Sequence, residues 1–268
     1  PRQSAWIHLF LFPWIYNMSE TIKSLIALVV SVVIVHLIYA GVIRPQAEII
    51  TEAARQIGKT TPRELVVILK DYEQEICLVL MLWGTYLIAV KMIGLLKERY
   101  LFTVDLLEPA LDETRDMHDA LAALDELPGD VRQTPLVKTL TASVRRYLIT
   151  GDVQNTSDAI QSSVEALALK LEAENSMIRY LIWAIPSIGF IGTVRGIGQA
   201  LSQADLALAG DITGMTDSLG VAFNSTFVAL LISIILMFLL HQLQRLQDDA
   251  VVDTQAYCEK FLLARISR

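Results

Sequence analysis

Four stretches of this sequence are too long and too apolar to be left in contact with water. They are Ser24–Val42, Ile76–Leu96, Tyr180–Leu201 and Ser218–Leu240. Crossing the hydrocarbon of a bilayer takes roughly 20 residues of apolar helix, and each run approaches or exceeds that length. In the first run His36 is the only titratable side chain besides Tyr39. Lys91 interrupts the second run late, and Pro186 and Arg195 interrupt the third. The fourth carries no charge, and none of the four contains Asp or Glu. Helices buried in soluble cores rarely run so long without a charge. The predicted class is therefore an all-α membrane protein with about four transmembrane helices. Composition agrees: hydrophobic residues make up 53% and charged residues 19% of the chain, against about 25% charged in soluble domains. The net charge of −7 speaks against a nucleic-acid partner, which needs a basic face. Cys77 and Cys258 lie far apart without metal-ligand spacing and read as reduced bystanders. No metal-spaced cluster or nucleophile–base constellation is visible. The glycines Gly192, Gly196 and Gly198 lie inside an apolar helix, not after a strand, so they form no phosphate loop. Neither a cofactor nor an enzyme is expected.

The apolar runs divide the chain. Residues 1–19 form an N-terminal segment in which Ala5–Tyr16, AWIHLFLFPWIY, is too short to span; its Trp and Tyr residues suit the membrane–water interface. The first span covers 20–43 and the second 76–96, with a short helical loop, 44–75, between them. A helical domain follows over 97–177. The third span, 178–201, and the fourth, 217–241, flank a loop at 202–216, and a helical tail closes the chain at 242–268. The 202–216 loop has no Lys or Arg, the 97–177 segment has eight and the tail after His241 has four. Basic loops stay in the cytoplasm, so the 202–216 loop is expected outside and the long segment and tail inside. Alternation then puts 44–75 outside despite its five basic residues. The rival topology has the first run dipping back without crossing. The chain opens on Pro1, not Met, and its last helix reaches the final residue, which leaves room for a trimmed start and a longer tail.

The soluble parts read as helix. Short stretches are expected over Thr51–Ile57 and Thr61–Tyr72, with Pro62 in a first turn. Leu106, Leu107, Ala110, Leu111, Met117, Leu121 and Leu124 recur at helical spacing, and Leu127–Asp130 is a turn. Another helix runs from Pro135 to Leu148, with Gly151 just past it. A third opens near Asn155–Ser157 and continues into the third span. The fourth span runs on through His241 toward Ile266.

Inside the membrane, Gly189, Thr193, Gly196 and Ala200 form one stripe of small residues on the third span. Ala222, Thr226, Ala229 and Ser233 form another on the fourth. Such stripes let helices approach closely and are expected to assemble an oligomer. A pure packing role remains open, with each hydroxyl bonded to the preceding turn. Asn224, Ser225 and Thr226 are three consecutive polar side chains in a charge-free span, which is costly without a partner or water. Arg195 either snorkels to the interface or sets the field at a pore mouth and pairs with a partner's acid. Lys91 reads as snorkelling. His36 is the only titratable candidate for a proton path, so a carboxylate would have to come from another chain.

The stretch Pro186–Ile197, PSIGFIGTVRGI, resembles the third-helix signature of the MotA/TolQ/ExbB ion-channel family, whose TolQ/ExbB branch reads P-x-x-G-L-x-G-T-V-x-G-I. Leu219–Leu230, LGVAFNSTFVAL, resembles the next helix of that branch. The resemblance covers about 155–244. It implies a ring of five copies around two copies of a single-span partner of the ExbD/TolR/MotB kind, which carries a membrane aspartate. It further implies ion flow, of protons or sodium, that turns one against the other in the bacterial inner membrane. Thr193 and Thr226 match the branch's two ring-lining threonines, with Ser225 and Asn224 beside them on the ion pathway and Arg195 at the pore mouth. Gly189, Gly192, Gly196, Ala222, Ala229, Ser233 and Pro186 would then serve helix packing. Arg195 departs from the branch, which often has an aromatic residue there, and the extra first span is nearer to flagellar stators in count. The competing reading is a non-conducting oligomeric scaffold.

Overall fold

The computed structural model describes residues 20–56, 62, 64–107 and 117–267; the interfacial segment expected over 1–19 lies outside the described residues. Helices and turns make up the described residues, with no strand among them. Among the described residues the α-helices in chain order are α1 Glu20–Ile38, α2 Arg44–Gln56, α3 Leu65–Ile68, α4 Tyr72–Glu98, α5 Met117–Glu126, α6 Gly129–Arg132, α7 Pro135–Thr150, α8 Val153–Glu174, α9 Ser176–Leu201, α10 Ala204–Leu208, α11 Thr213–Cys258 and α12 Ala264–Ile266. Among the described residues, four helical stretches are long and apolar enough to cross a membrane: Thr21–Ala54, Tyr72–Thr103, Val153–Leu201 and Thr213–Ile266. The chain folds as two compact units. One comprises the residues up to Leu87 with Ile178–Leu239, the other Ile88–Met177 with Leu240–Arg268.

In the first unit, α1 runs into α2 through a π-helical turn, Tyr39–Ile43, in which Arg44 N–H reaches back to Tyr39 O. The cause is Pro45, which lacks an N–H and whose ring crowds the carbonyl four residues earlier. A wide turn absorbs that conflict without breaking the helix. Helix therefore extends through Arg44–Gln56, where only Thr51–Ile57 was expected. Of the expected Thr61–Tyr72 helix, residues 61 and 63 lie outside the described residues; α3 forms one turn, and Leu69–Asp71 leaves the helical path before α4 begins at Tyr72. Val35, Tyr39 and Val79 pack α1 against α4, and Trp83 Nε1 donates to Ser24 O at 3.0 Å.

The second unit is a helical bundle with a closed core. Leu124 of α5, Leu136, Leu140 and Val144 of α7, Ile160 and Val164 of α8, and Tyr257 and Cys258 of α11 are buried together. Of the helix expected from Leu106, Met117–Glu126 is present as α5, and residues 108–116 lie outside the described residues. Before them, Val104–Leu107 is non-helical and is held by Tyr257, whose hydroxyl donates to Val104 O at 2.7 Å and accepts from Leu106 N at 2.8 Å. Helix α7 has Pro135 in its first turn and ends at Gly151, in the left-handed region at φ 63°. Asp152 then caps α8, accepting from Gln154 N and Asn155 N at 3.1 and 3.4 Å. Lys91 does not snorkel freely: its Nζ lies 2.9 Å from Glu174 Oε2. Between α8 and α9 the helix is interrupted only at Asn175, whose buried amide donates to Gln247 Oε1 at 2.6 Å.

Candidate functional site

Helices α9 and α11 are antiparallel neighbours joined by a short connection with Gly210 at φ 101°. Their small-residue stripes face each other. A Cβ added at Gly189 would lie 2.5 Å from Ala229 Cβ, and one at Gly196 would lie 2.6 Å from Ala222 N; one at Gly192 would collide with the Ser225 side chain. Ala222, Ser225 and Ala229 are buried accordingly. The stripes expected to join separate copies are thus spent inside one protomer. The reason is proximity: two complementary faces tethered by a short loop find each other before any other surface. Pro186 has a consequence that spacing did not reveal. Lacking an N–H, it leaves Ile182 O without its helical donor, and Ser233 Oγ on α11 donates to that carbonyl at 2.9 Å. In lipid an orphaned carbonyl has no water to turn to.

Midway along this seam the hydroxyls of Thr193 and Thr226 are hydrogen-bonded to each other. Thr193 Oγ1 also lies 3.0 Å from Ala222 O, and Thr226 Oγ1 lies 3.1 Å from Gly189 O. A hydroxyl has one hydrogen to give and two lone pairs. If Thr193 donates to Thr226, Thr226 donates to Gly189 O. If Thr226 donates to Thr193, Thr193 donates to Ala222 O. Both arrangements satisfy both hydrogens, and in each one hydroxyl oxygen keeps its lone pairs free. Both side chains are half-buried. The pair can thus accept a hydrogen bond or meet a cation without giving up any bond it holds.

The charged surroundings come from α4, which begins at Tyr72, ahead of the apolar run expected to start at Ile76. Its first turn brings Glu73, Gln74 and Glu75 into the helix, 8%, 0% and 9% exposed. Sequence reasoning missed them because they precede the apolar residues, although three polar side chains abutting a span were a usable signal. Arg195 Nε and Nη2 each lie 2.8 Å from a Glu73 carboxylate oxygen, with Asp71 at 3.6 Å. The side chain expected at a pore mouth or on a partner's acid is therefore engaged within its own chain. Glu75 accepts from Arg44 and lies 2.8 Å from His36 Nδ1, so His36 is no isolated group. Burial pushes the Asp71 carboxyl above the usual aspartate range, with Lys70 and then Arg195 pulling it back. Ser225 sits beside the pair, donating to Val221 O at 2.9 Å. Asn224 does not join it; it lines an open cavity of about 370 Å³ with Lys70, Asp71 and Thr216.

Four helices of membrane-spanning length among the described residues, with a polar pair inside a glycine-lined seam, fit a multi-pass membrane protein. Residues 132–256 match the model of the MotA/TolQ/ExbB proton channel family. The match takes in α7, α8, α9 and most of α11, hence both threonines and all the glycines of the seam. No curated protein and no solved structure matches the chain.

Proposed function

We propose that this chain is the ring subunit of an inner-membrane, ion-driven rotary motor or channel, with protons as the coupling ion. Five copies surround two copies of a single-span, ExbD/TolR/MotB-like partner that supplies a membrane aspartate. The observation that carries the reading is the Thr193–Thr226 hydroxyl pair lying in the family region. At rest it offers only acceptor lone pairs, which suits a protonated carboxyl or a cation and not an ionised carboxylate. The absence of Asp and Glu from the apolar runs of the chain fits a division of labour in which the partner brings the acid. Because the glycine stripes are occupied within the protomer, contacts between ring neighbours fall to the large exposed side chains of α9 and α11, such as Phe190, Phe223 and Phe227. Residues 97–177 and the tail lie in the cytoplasm, and 202–216 outside.

Valine matches threonine in shape but has no hydroxyl. Thr226→Val is expected to leave the oligomer assembled, by native mass spectrometry, and to abolish or strongly reduce ion-dependent function in cells. Thr193→Val is expected to act in the same direction. Full function in Thr226→Val at normal expression would favour the non-conducting scaffold, in which the hydroxyls serve only packing.

A further inference from the structure

Helices α9 and α11 meet over glycine, alanine and serine, and such a seam is close but shallow. Low ridges resist sliding and rotation weakly. The hydroxyl pair nevertheless demands both register and rotation. One residue of slip carries Thr226 about 1.5 Å along and about 100° around its helix, out of reach of an O–H···O bond. Something directional has to hold the two helices at this level.

The first turn of α4 supplies it with consecutive residues. Glu73 takes the Arg195 guanidinium through two bonds of 2.8 Å, two positions past Thr193 on α9. A forked, two-bond ion pair fixes angle as well as distance. The Glu73 side chain also covers Gly192, where an added Cβ would lie 3.2 Å from its Cγ. Gln74 is fully buried and donates Nε2 to Ser225 Oγ at 3.4 Å and to Ile68 O at 3.0 Å. Ser225 is the residue before Thr226 on α11. The other end of the Gln74 amide is unpaired: its Oε1, like Tyr39 OH and Asp71 Oδ2, is buried without a hydrogen-bond partner. A position that only filled space would be better served by leucine, which has no acceptor to desolvate. An amide held there with one half unpaired points to work done by the other half. Glu75, next on the same turn, is tied to His36 and Arg44, so the turn is itself anchored to α1 and α2.

We infer that Glu73 and Gln74 are positioning residues of the hydroxyl pair, Glu73 setting α9 through Arg195 and Gln74 setting α11 through Ser225. The functional meaning rests on the reading of Thr193 and Thr226 as ion-handling groups; the grip itself is a separate matter, and its test is separate too. Threonine-¹³C-labelled protein in lipid vesicles gives Cβ signals by solid-state NMR, with Thr193 and Thr226 assigned from their valine variants. Gln74→Leu is expected to displace the Thr226 signal by more than its line width, and Glu73→Gln to displace that of Thr193. Glu73→Asp, which keeps the carboxylate, is expected to recover most of the native Thr193 position. Thr139 of α7 reports on the remaining fold and is expected to stay in place. Unmoved Thr193 and Thr226 signals would overturn the inference, as would displacement of Thr139 together with them. Displaced signals alongside full function in Thr226→Val would remove the ion-handling reading and leave the positioning role standing. Unmoved signals alongside lost function in Thr226→Val would do the reverse.

Discussion

Pro186 and Ser233 lie on different helices and are linked by a single carbonyl. Pro186 withholds the donor that Ile182 O expects, and Ser233 replaces it at 2.9 Å. Ser233→Ala should therefore destabilise the protein by about 1 kcal/mol, measured by reversible unfolding in detergent. In a Pro186→Ala background the helix regains its own donor, and the same Ser233→Ala change should then cost almost nothing. Equal costs in both backgrounds would break the link. The glycines separate in the same way. Gly192→Ala and Gly196→Ala force a Cβ into Ser225 and Ala222 and should each cost about 1–3 kcal/mol. Gly198 has open space around its Cβ position, so Gly198→Ala should be neutral or stabilising by up to about 1 kcal/mol in the same assay.

At the scale of elements, capping signals were legible and the start of α4 was not. Pro135 and Gly151 bracket α7 as their chemistry requires, and the uninterrupted pattern after Ser218 became the single helix α11. The second span was read from its apolar residues alone, so its helix was expected to begin at Ile76. Helix does not need apolar residues to start, and Tyr72–Glu75 joins because its polar side chains find partners on α9, α11, α1 and α2. The opening of α8 shifted for a related reason. Asn155–Ser157 are good capping types, but Asp152 lies directly after the left-handed Gly151 and accepts from two backbone N–H groups. Asp152→Ala should weaken the first turn of α8 by about 1 kcal/mol. Hydrogen exchange should show this as faster exchange at Gln154 and Asn155, with the middle of α8 unchanged.

For the whole molecule, the prediction concerns sidedness. Cysteines placed at Thr150 and Ser202 should react with an impermeant thiol reagent from opposite sides of the membrane. The native Cys77 and Cys258 are buried and free, so the background should be low; labelling of both new sites from outside would overturn the topology. The sequence by itself determined the all-helical membrane class, the four long apolar helices and the resemblance to the family whose model matches residues 132–256, because hydrophobic length and a run of glycines in register with a threonine are local properties. It also marked Thr193 and Thr226 as worth attention. Only the tertiary structure decided what those residues touch. The two small-residue stripes close on each other within a protomer, Arg195 is taken by Glu73, and Ser233 serves a carbonyl that Pro186 left open. Each of these joins groups far apart in the chain. Periodicity can say which face of a helix a residue occupies, but the partner on that face is fixed by how the helices fold back against one another, and in lipid every buried polar group must find such a partner within the protein.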